Sequence, residues 1–125
     1  MQTPAAADAS PDGYRITISP VGHRVRVVYD GVVLADSERA FVLRETRLEP
    51  VVYFPKADVR MDLLEPTTFR THCPFKGDAT YYSVNIGGTT IEDAAWSYED
   101  PFAAMETIRG HIAFASPRLL ETAGE

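Results

Sequence analysis

The stretch THCPFKGDATYY, residues 71–82, decides the fold and holds the only cysteine of the chain. Strand-like runs flank its centre, with Phe69 to Cys73 leading in and Ala79 to Ile86 leading out. A proline and a glycine between two such runs are typical of a turn, because each residue favours backbone angles that turns require. We therefore predict a turn at the mouth of a pocket, with Cys73 and Lys76 near that mouth.

Further β-rich or alternating runs lie on both sides of this stretch, and each predicts a short strand. Between two of them stands Asp30-Gly31, a strong hairpin signal because both residues tolerate positive φ. Gly87-Gly88 predicts a second hairpin turn. The predicted strands are residues 14–18, 25–29, 32–35, 40–45, 51–54, 69–73, 79–86, 89–98 and 111–114.

One short helix is predicted, from Pro101 to Arg109. Asp100 is placed to cap its N-terminus and Pro101 to be its first helical residue. Apolar side chains recur at three-residue spacing from Phe102 to Ile108, which gives one apolar face. Gly110 is suited to a left-handed C-terminal cap.

The remaining segments set the domain boundaries. Residues 1–13 are rich in Ala, Pro and Asp without apolar periodicity, and predict a flexible tail. Residues 14–117 form one mainly-β domain, either two packed antiparallel sheets or a curled open sheet. Within it, residues 57–64 predict an extended segment or a single helical turn. Residues 118–125 predict a C-terminal tail, or a short helix through Leu119 and Leu120.

Composition excludes several classes of protein. A chain of 125 residues with 45% hydrophobic residues fits one globular domain. The net charge of −6 argues against binding to nucleic acid or to anionic membranes. No apolar run approaches the roughly 20 residues needed to span a bilayer, and no secretory signal is recognisable. Since one cysteine cannot form an internal disulfide, we expect a cytoplasmic protein.

Five short motifs, taken together and in this order, resemble one family: Tyr53-Phe54-Pro55, Asp58-Val59, Cys73-Pro74-Phe75-Lys76-Gly77, Ala94-Ala95-Trp96-Ser97-Tyr98 and Ile112-Ala113-Phe114. That family is the bacterial and fungal domain-of-unknown-function family 427, and the resemblance runs from about Val25 to Pro117. It implies a β-tent fold, in which two antiparallel sheets lie roughly at right angles with a pocket between them. The fold is shared with the cereblon ligand-binding domain and with methionine sulfoxide reductases of the B type.

The resemblance carries no established activity and indicates no cofactor. Relatives of the fold commonly carry a structural zinc on paired Cys-x-x-Cys motifs, but Cys73 stands alone here, so no metal site is expected. The family is sometimes labelled nucleotidyltransferase-like. The chain has neither a Gly-rich phosphate loop nor paired carboxylates at a metal-binding spacing to support that label.

The turn supplies the candidate catalytic and cationic residues. Pro74 fixes the backbone after Cys73, and a nearby ammonium such as Lys76 would favour its thiolate. The alternative is a buried, inert thiol. His72 is adjacent, but neighbours on a strand point to opposite faces, so it is not expected to be the base for Cys73. Lys76 and Gly77 predict an anion site, or else a turn glycine beside a solvated lysine.

Aromatic residues supply the predicted wall of the pocket. Trp96 and Tyr98 lie at i and i+2, hence on one face of a strand. Together with Tyr53, and with Tyr81 or Tyr82, they would suit a planar or cationic ligand. The alternative is an aromatic core between the sheets. The predicted ligand-binding residues are therefore Tyr53, His72, Cys73, Lys76, Gly77, Trp96 and Tyr98.

Three functions follow from these residues. The first is a module that binds a small planar or anionic ligand near the turn. The second is a structural or interaction domain without a small ligand. The third is an enzyme that uses Cys73 as nucleophile or redox group. Glu45, at a strand end, is predicted to point inward because it alternates with Arg44.

Overall fold

Ten β-strands in three antiparallel sheets make up the fold in a computed structural model that describes residues 13–115 and 120–122. The first sheet has the order β1-β4-β5, the second β10-β2-β3 and the third β6-β7-β8-β9. The mainly-β prediction is confirmed. The strands are β1 Ile16–Pro20, β2 Val25–Tyr29, β3 Val32–Ser37, β4 Phe41–Glu45, β5 Val51–Tyr53, β6 Leu64–Cys73, β7 Gly77–Ile86, β8 Thr89–Ser97, β9 Ala113–Phe114 and β10 Leu120–Thr122.

The number of sheets differs from the two that were predicted. Strands β3 and β4 follow each other along the chain, yet β3 pairs with β2 and β4 pairs with β1 and β5. Residue alternation indicates that a segment is extended, but it does not say which strand will pair with it. The third sheet comes from that long-range choice of partners.

Both predicted hairpin turns are confirmed. Asp30 and Gly31 have φ of 51° and 79° between β2 and β3. Gly87 and Gly88 have φ of 54° and 85° between β7 and β8. Positive φ at both central residues matches the twist of the flanking strands, which is why these residue types occur there.

The predicted turn between Cys73 and Gly77 is also confirmed. These two residues are the last register pair of β6 and β7, and the Lys76 N–H donates to the Cys73 carbonyl at 3.2 Å. Gly77 has φ of 119°, and a Cβ added there would lie 3.4 Å from the Pro101 Cα. The Phe102 N–H donates to the Lys76 carbonyl at 3.0 Å, which fastens the turn to the next segment.

The short helix predicted from Pro101 to Arg109 is present over fewer residues, and it is not an α-helix. Residues Ala103–Ile108 form 3-10 turns, interrupted at Met105, which has φ of −107° and ψ of 17°. Asp100 makes no cap: Phe102 precedes the first turn, without a side-chain capping bond. The three-residue apolar spacing fits a 3-10 helix, which has three residues per turn, as well as an α-helix. Gly110 does have the expected left-handed φ, 67°.

The structure also shows the conformation of two further segments whose predictions had left alternatives open. Residues 57–64 were predicted to be extended or a single helical turn; instead, two 3-10 turns, Lys56–Asp58 and Met61–Leu63, lead into β6. The predicted tail, 118–125, contributes β10, which pairs with β2, so hydrogen-bonded sheet continues past residue 117. Leu119 and residues 1–12 lie outside the described residues. No helical turn among the described residues is long and apolar enough to cross a membrane.

The core is divided into two clusters. The first lies under the second sheet and the far end of the third, around Val27, Leu34 and Val84. The second, called here the tyrosine cluster, joins the first sheet to the near end of the third. Its buried members are Ile16, Leu43, Tyr53, Ala79, Tyr98, Met105, Ile108 and Ala113, and its partly buried members include Cys73, Phe75, Tyr81 and Trp96.

Candidate functional site

A buried ion pair joins the central turn to the first sheet. The Lys76 Nζ donates to the Glu45 Oε1 at 2.6 Å, and the two side chains are only 9% and 7% exposed. Glu45 ends β4 opposite Ile16, and its inward direction is confirmed. Lys76 is therefore neither a solvated lysine nor an unpaired cation, because the carboxylate balances its charge.

Two buried tyrosines lie beside this pair. The rings of Tyr53 and Tyr98 have centroids 6.5 Å apart and are 1% and 6% exposed. Burial raises the pKa of Tyr53; the hydrogen bond from Trp96 opposes that rise, and the charge of Glu45 adds to it. Burial also raises the pKa of Tyr98, with smaller contributions from Tyr53 and Cys73. Both phenols therefore stay neutral at physiological pH, which rules them out as anionic groups.

Three aromatic side chains on neighbouring strands form what we call the aromatic face: Phe69 on β6, Tyr81 on β7 and Trp96 on β8. Tyr81 and Trp96 are direct cross-strand partners, with ring centroids 6.2 Å apart. Phe69 packs on Tyr81 at 4.7 Å and is 48% exposed. Solvent exposure therefore increases across the aromatic face, from the partly buried indole of Trp96 to the exposed phenyl ring of Phe69.

Hydrogen bonds fix the orientation of this face. The Trp96 Nε1 donates to the Tyr53 hydroxyl at 3.2 Å, and the Tyr81 hydroxyl lies 3.0 Å from the Thr71 Oγ1. Each bond holds one ring against the sheet while leaving part of that ring exposed. Rings held in this way lose little conformational entropy when a ligand stacks on them.

Cys73 is partly exposed and packs on the tyrosine cluster, close enough to Tyr53 and Tyr98 to influence both phenols. No hydrogen-bonding base contacts its sulfur among the described residues. His72, as predicted from strand alternation, faces elsewhere: its Nδ1 lies 2.6 Å from the Asp78 Oδ1 at an exposed position. The geometry therefore offers Cys73 as a thiol beside aromatic rings, without a partner to activate it.

The predicted site residues divide into three groups. Tyr53, Cys73, Lys76, Trp96 and Tyr98 come together around the tyrosine cluster. His72 is directed away from them. Gly77 contributes through its backbone, because the segment at Pro101 packs against its Cα.

Sequence reasoning missed Phe69 as part of the site. The signal was present, because Phe69, Thr71 and Cys73 are spaced two apart on a strand and so share a face. An exposed phenylalanine at the outer end of that face could have been read as the continuation of the Tyr81–Trp96 pair. Among the described residues, no three His, Cys, Asp or Glu side chains converge to hold a metal ion.

Comparison with known families adds the classification. A family described as Domain of unknown function (DUF427) matches residues 17–122. The chain belongs to this family. The match spans all ten strands of the DUF427 domain except the first residue of β1. No curated protein shows significant similarity to it.

Proposed function

We propose that this DUF427 domain is a binding module that holds a small planar ligand against the aromatic face. The observation that carries the proposal is the direct cross-strand pair Tyr81–Trp96, partly exposed and extended outward by Phe69. Stacking on aromatic rings is favourable for any flat ligand with a π face, and each such contact contributes about 0.5–1.5 kcal/mol beyond area burial. Three rings in a row offer more of this contact than one surface aromatic does.

The charge balance of the ion pair bears on whether the ligand is anionic or only planar. Lys76 and Glu45 form a neutral pair, so Lys76 brings no net positive charge to the aromatic face. An anion would gain little there, and taking Lys76 from Glu45 would leave a buried carboxylate uncompensated. The geometry therefore favours planarity over negative charge as the property that is recognised.

The second candidate is a structural or interaction domain without a small ligand. One observation favours it: Tyr53 and Tyr98 are almost wholly buried, so part of the predicted aromatic wall is core. Under this alternative the aromatic face is a surface whose rings only pack on one another. The two candidates differ in whether a small flat molecule binds saturably.

The test uses the single tryptophan of the chain, Trp96, as its own reporter. A panel of nucleobases, flavins, nicotinamides and other planar compounds is titrated while indole fluorescence is followed, and hits are repeated by thermal shift. A bound compound should quench Trp96 saturably. At a hundredfold excess over its Kd it should stabilise the fold by about 2.7 kcal/mol.

A matched pair of variants locates the binding. Phe69 and Phe102 are phenylalanines of nearly equal exposure, 48% and 46%, but only Phe69 belongs to the aromatic face. Phe69→Ala should weaken binding by about tenfold, from one stacking contact, and Phe102→Ala should leave it unchanged. The structural alternative is favoured if no compound quenches Trp96 saturably, and binding elsewhere is indicated if both variants behave alike.

A further inference from the structure

A cleft of about 690 Å³ adjoins the aromatic face at Phe69. It lies over the middle of the third sheet, where β6, β7 and β8 are neighbours. Its lining combines one open aromatic ring with charged groups of both signs and several hydroxyls. The lining residues are Thr67, Thr68, Phe69, Arg70, Ser83, Thr90, Glu92 and Asp93.

The cleft occurs where strand pairing is irregular on both sides of β7. The register shifts between Pro66 and Arg70 on β6, and again between Tyr82 and Val84 on β7. Bulges re-aim side chains and are frequent beside binding sites. Here they turn polar side chains of β6 and β8 toward the same space.

Hydrogen bonds hold this region in shape. The Thr67 Oγ1 donates to the Asp93 Oδ1 at 2.7 Å and accepts from the Phe69 N–H at 3.3 Å. The Asp93 N–H donates to the Ser83 Oγ at 3.2 Å, which supports the positive φ of Asp93, 51°. The position of the Asp93 carboxylate is thus set before any ligand arrives.

Several polar groups in the cleft remain available. The Arg70 Nη1 donates to the carbonyls of Thr67 and Phe69, while its other N–H groups bond to no described residue. The second carboxylate oxygen of Asp93 and both oxygens of Glu92 also lack a partner among residues 13–115. The cleft therefore presents acceptors and donors side by side.

This mixture selects a ligand group that both donates and accepts. Glu92 and Asp93 outnumber Arg70, so a carboxylate or phosphate would be repelled; an ammonium could pair with the carboxylates but cannot accept a hydrogen bond from the guanidinium. A hydroxyl can donate to either carboxylate in a charge-assisted hydrogen bond and accept from the guanidinium. The phenyl ring of Phe69 suits the apolar C–H face of a ring that carries such hydroxyls. We propose that the cleft binds the sugar ring of a neutral saccharide.

The test is a titration followed by backbone amide NMR, with ribose, glucose, galactose and maltose as probes, added to roughly 0.1 M because such sites bind weakly. At least one sugar should shift the amides of Phe69, Arg70 and Asp93 saturably. Glucuronate, which places a negative charge on the same ring, should bind more weakly than glucose. The sugars are added without any planar compound and the readout does not use Trp96, so failure of this test is distinguishable from failure of the planar-ligand test.

Conservative variants separate recognition from folding. Asp93→Asn keeps an oxygen for the Thr67 hydrogen bond, and Glu92→Gln keeps the side-chain length; each should weaken sugar binding by about tenfold. Glu38→Gln removes an exposed carboxylate outside the cleft and should have no effect. The inference is overturned if no probe shifts these amides, if glucuronate binds more tightly than glucose, or if Glu38→Gln weakens binding as much as the two cleft variants do.

Discussion

Replacing Lys76 by methionine tests whether the buried ion pair is part of the structure or open to a ligand. Methionine fills a similar volume without the charge, so the change leaves the Glu45 carboxylate 7% exposed and unpaired. At a separation of 2.6 Å and an effective dielectric constant of about 20, the lost attraction is about 6 kcal/mol. Relaxation and water entry reduce this, and breaking such pairs costs about 3–5 kcal/mol.

The assay is urea denaturation at pH 7, with the free energy of unfolding obtained from the midpoint and slope. A matched control is Lys56→Met, since Lys56 also pairs with a glutamate, Glu99, at 3.0 Å, but both side chains are about 40% exposed. An exposed pair contributes about 0–1 kcal/mol. We expect the loss for Lys76→Met to exceed that for Lys56→Met by at least about 2 kcal/mol.

A double variant completes the cycle. Replacing Lys76 by methionine and Glu45 by leucine removes both charges, so it should recover most of the stability lost in either single variant. If Lys76→Met changes stability by less than about 0.5 kcal/mol, the pair is not a structural contact of the kind described. A double variant as unstable as the sum of the singles would mean that packing, not charge pairing, causes the loss.

Two further predictions concern the turn and an acidic side chain. Gly77→Ala should destabilise the fold by about 1–3 kcal/mol, because a φ of 119° is a backbone conformation that L side chains rarely adopt; the new Cβ would meet the Pro101 Cα at an ordinary contact distance of 3.4 Å. Thermal denaturation should show a smaller loss for Gly87→Ala, where a φ of 54° is open to alanine at lower cost, and equal losses would contradict this account. The hydrogen bond from Ser37 holds the pKa of Asp58 below its ordinary 3.8. The advantage of the wild type over Asp58→Asn should therefore be about 1 kcal/mol at neutral pH and disappear as pH falls through that lowered pKa, and a pH-independent difference in urea denaturation would contradict this.

The candidate site was predictable in its aromatic part and not in its charges. Trp96 and Tyr98 share a face because strand residues two apart do so, and the structure places both at the tyrosine cluster. The same alternation separated His72 from Cys73 correctly. Lys76 was expected to be available to a ligand or solvated, and nothing in its neighbourhood in the sequence indicates Glu45, which lies 31 residues away.

In the segment from Pro101 to Arg109, too, the local sequence did not determine which conformation forms. Pro101 and the three-residue apolar spacing satisfy the first turn of an α-helix and a 3-10 helix equally. Of the predicted apolar face, Met105 and Ile108 are buried but Phe102 is exposed. What decides between the two is the tethering of the segment at both ends. The Phe102 N–H bonds to Lys76, and the Gly110 N–H bonds to the Tyr98 carbonyl.

Features that depend on a few consecutive residues follow from the sequence alone. Asp30-Gly31 and Gly87-Gly88 favour hairpin turns, since their backbone tolerates positive φ, and apolar alternation favours strands. The division of the strands into three sheets and the contact of Lys76 with Glu45 follow only from the tertiary structure. Local preferences act over a few residues, whereas strand partners and buried charge pairs are selected by the free energy of the whole packed chain.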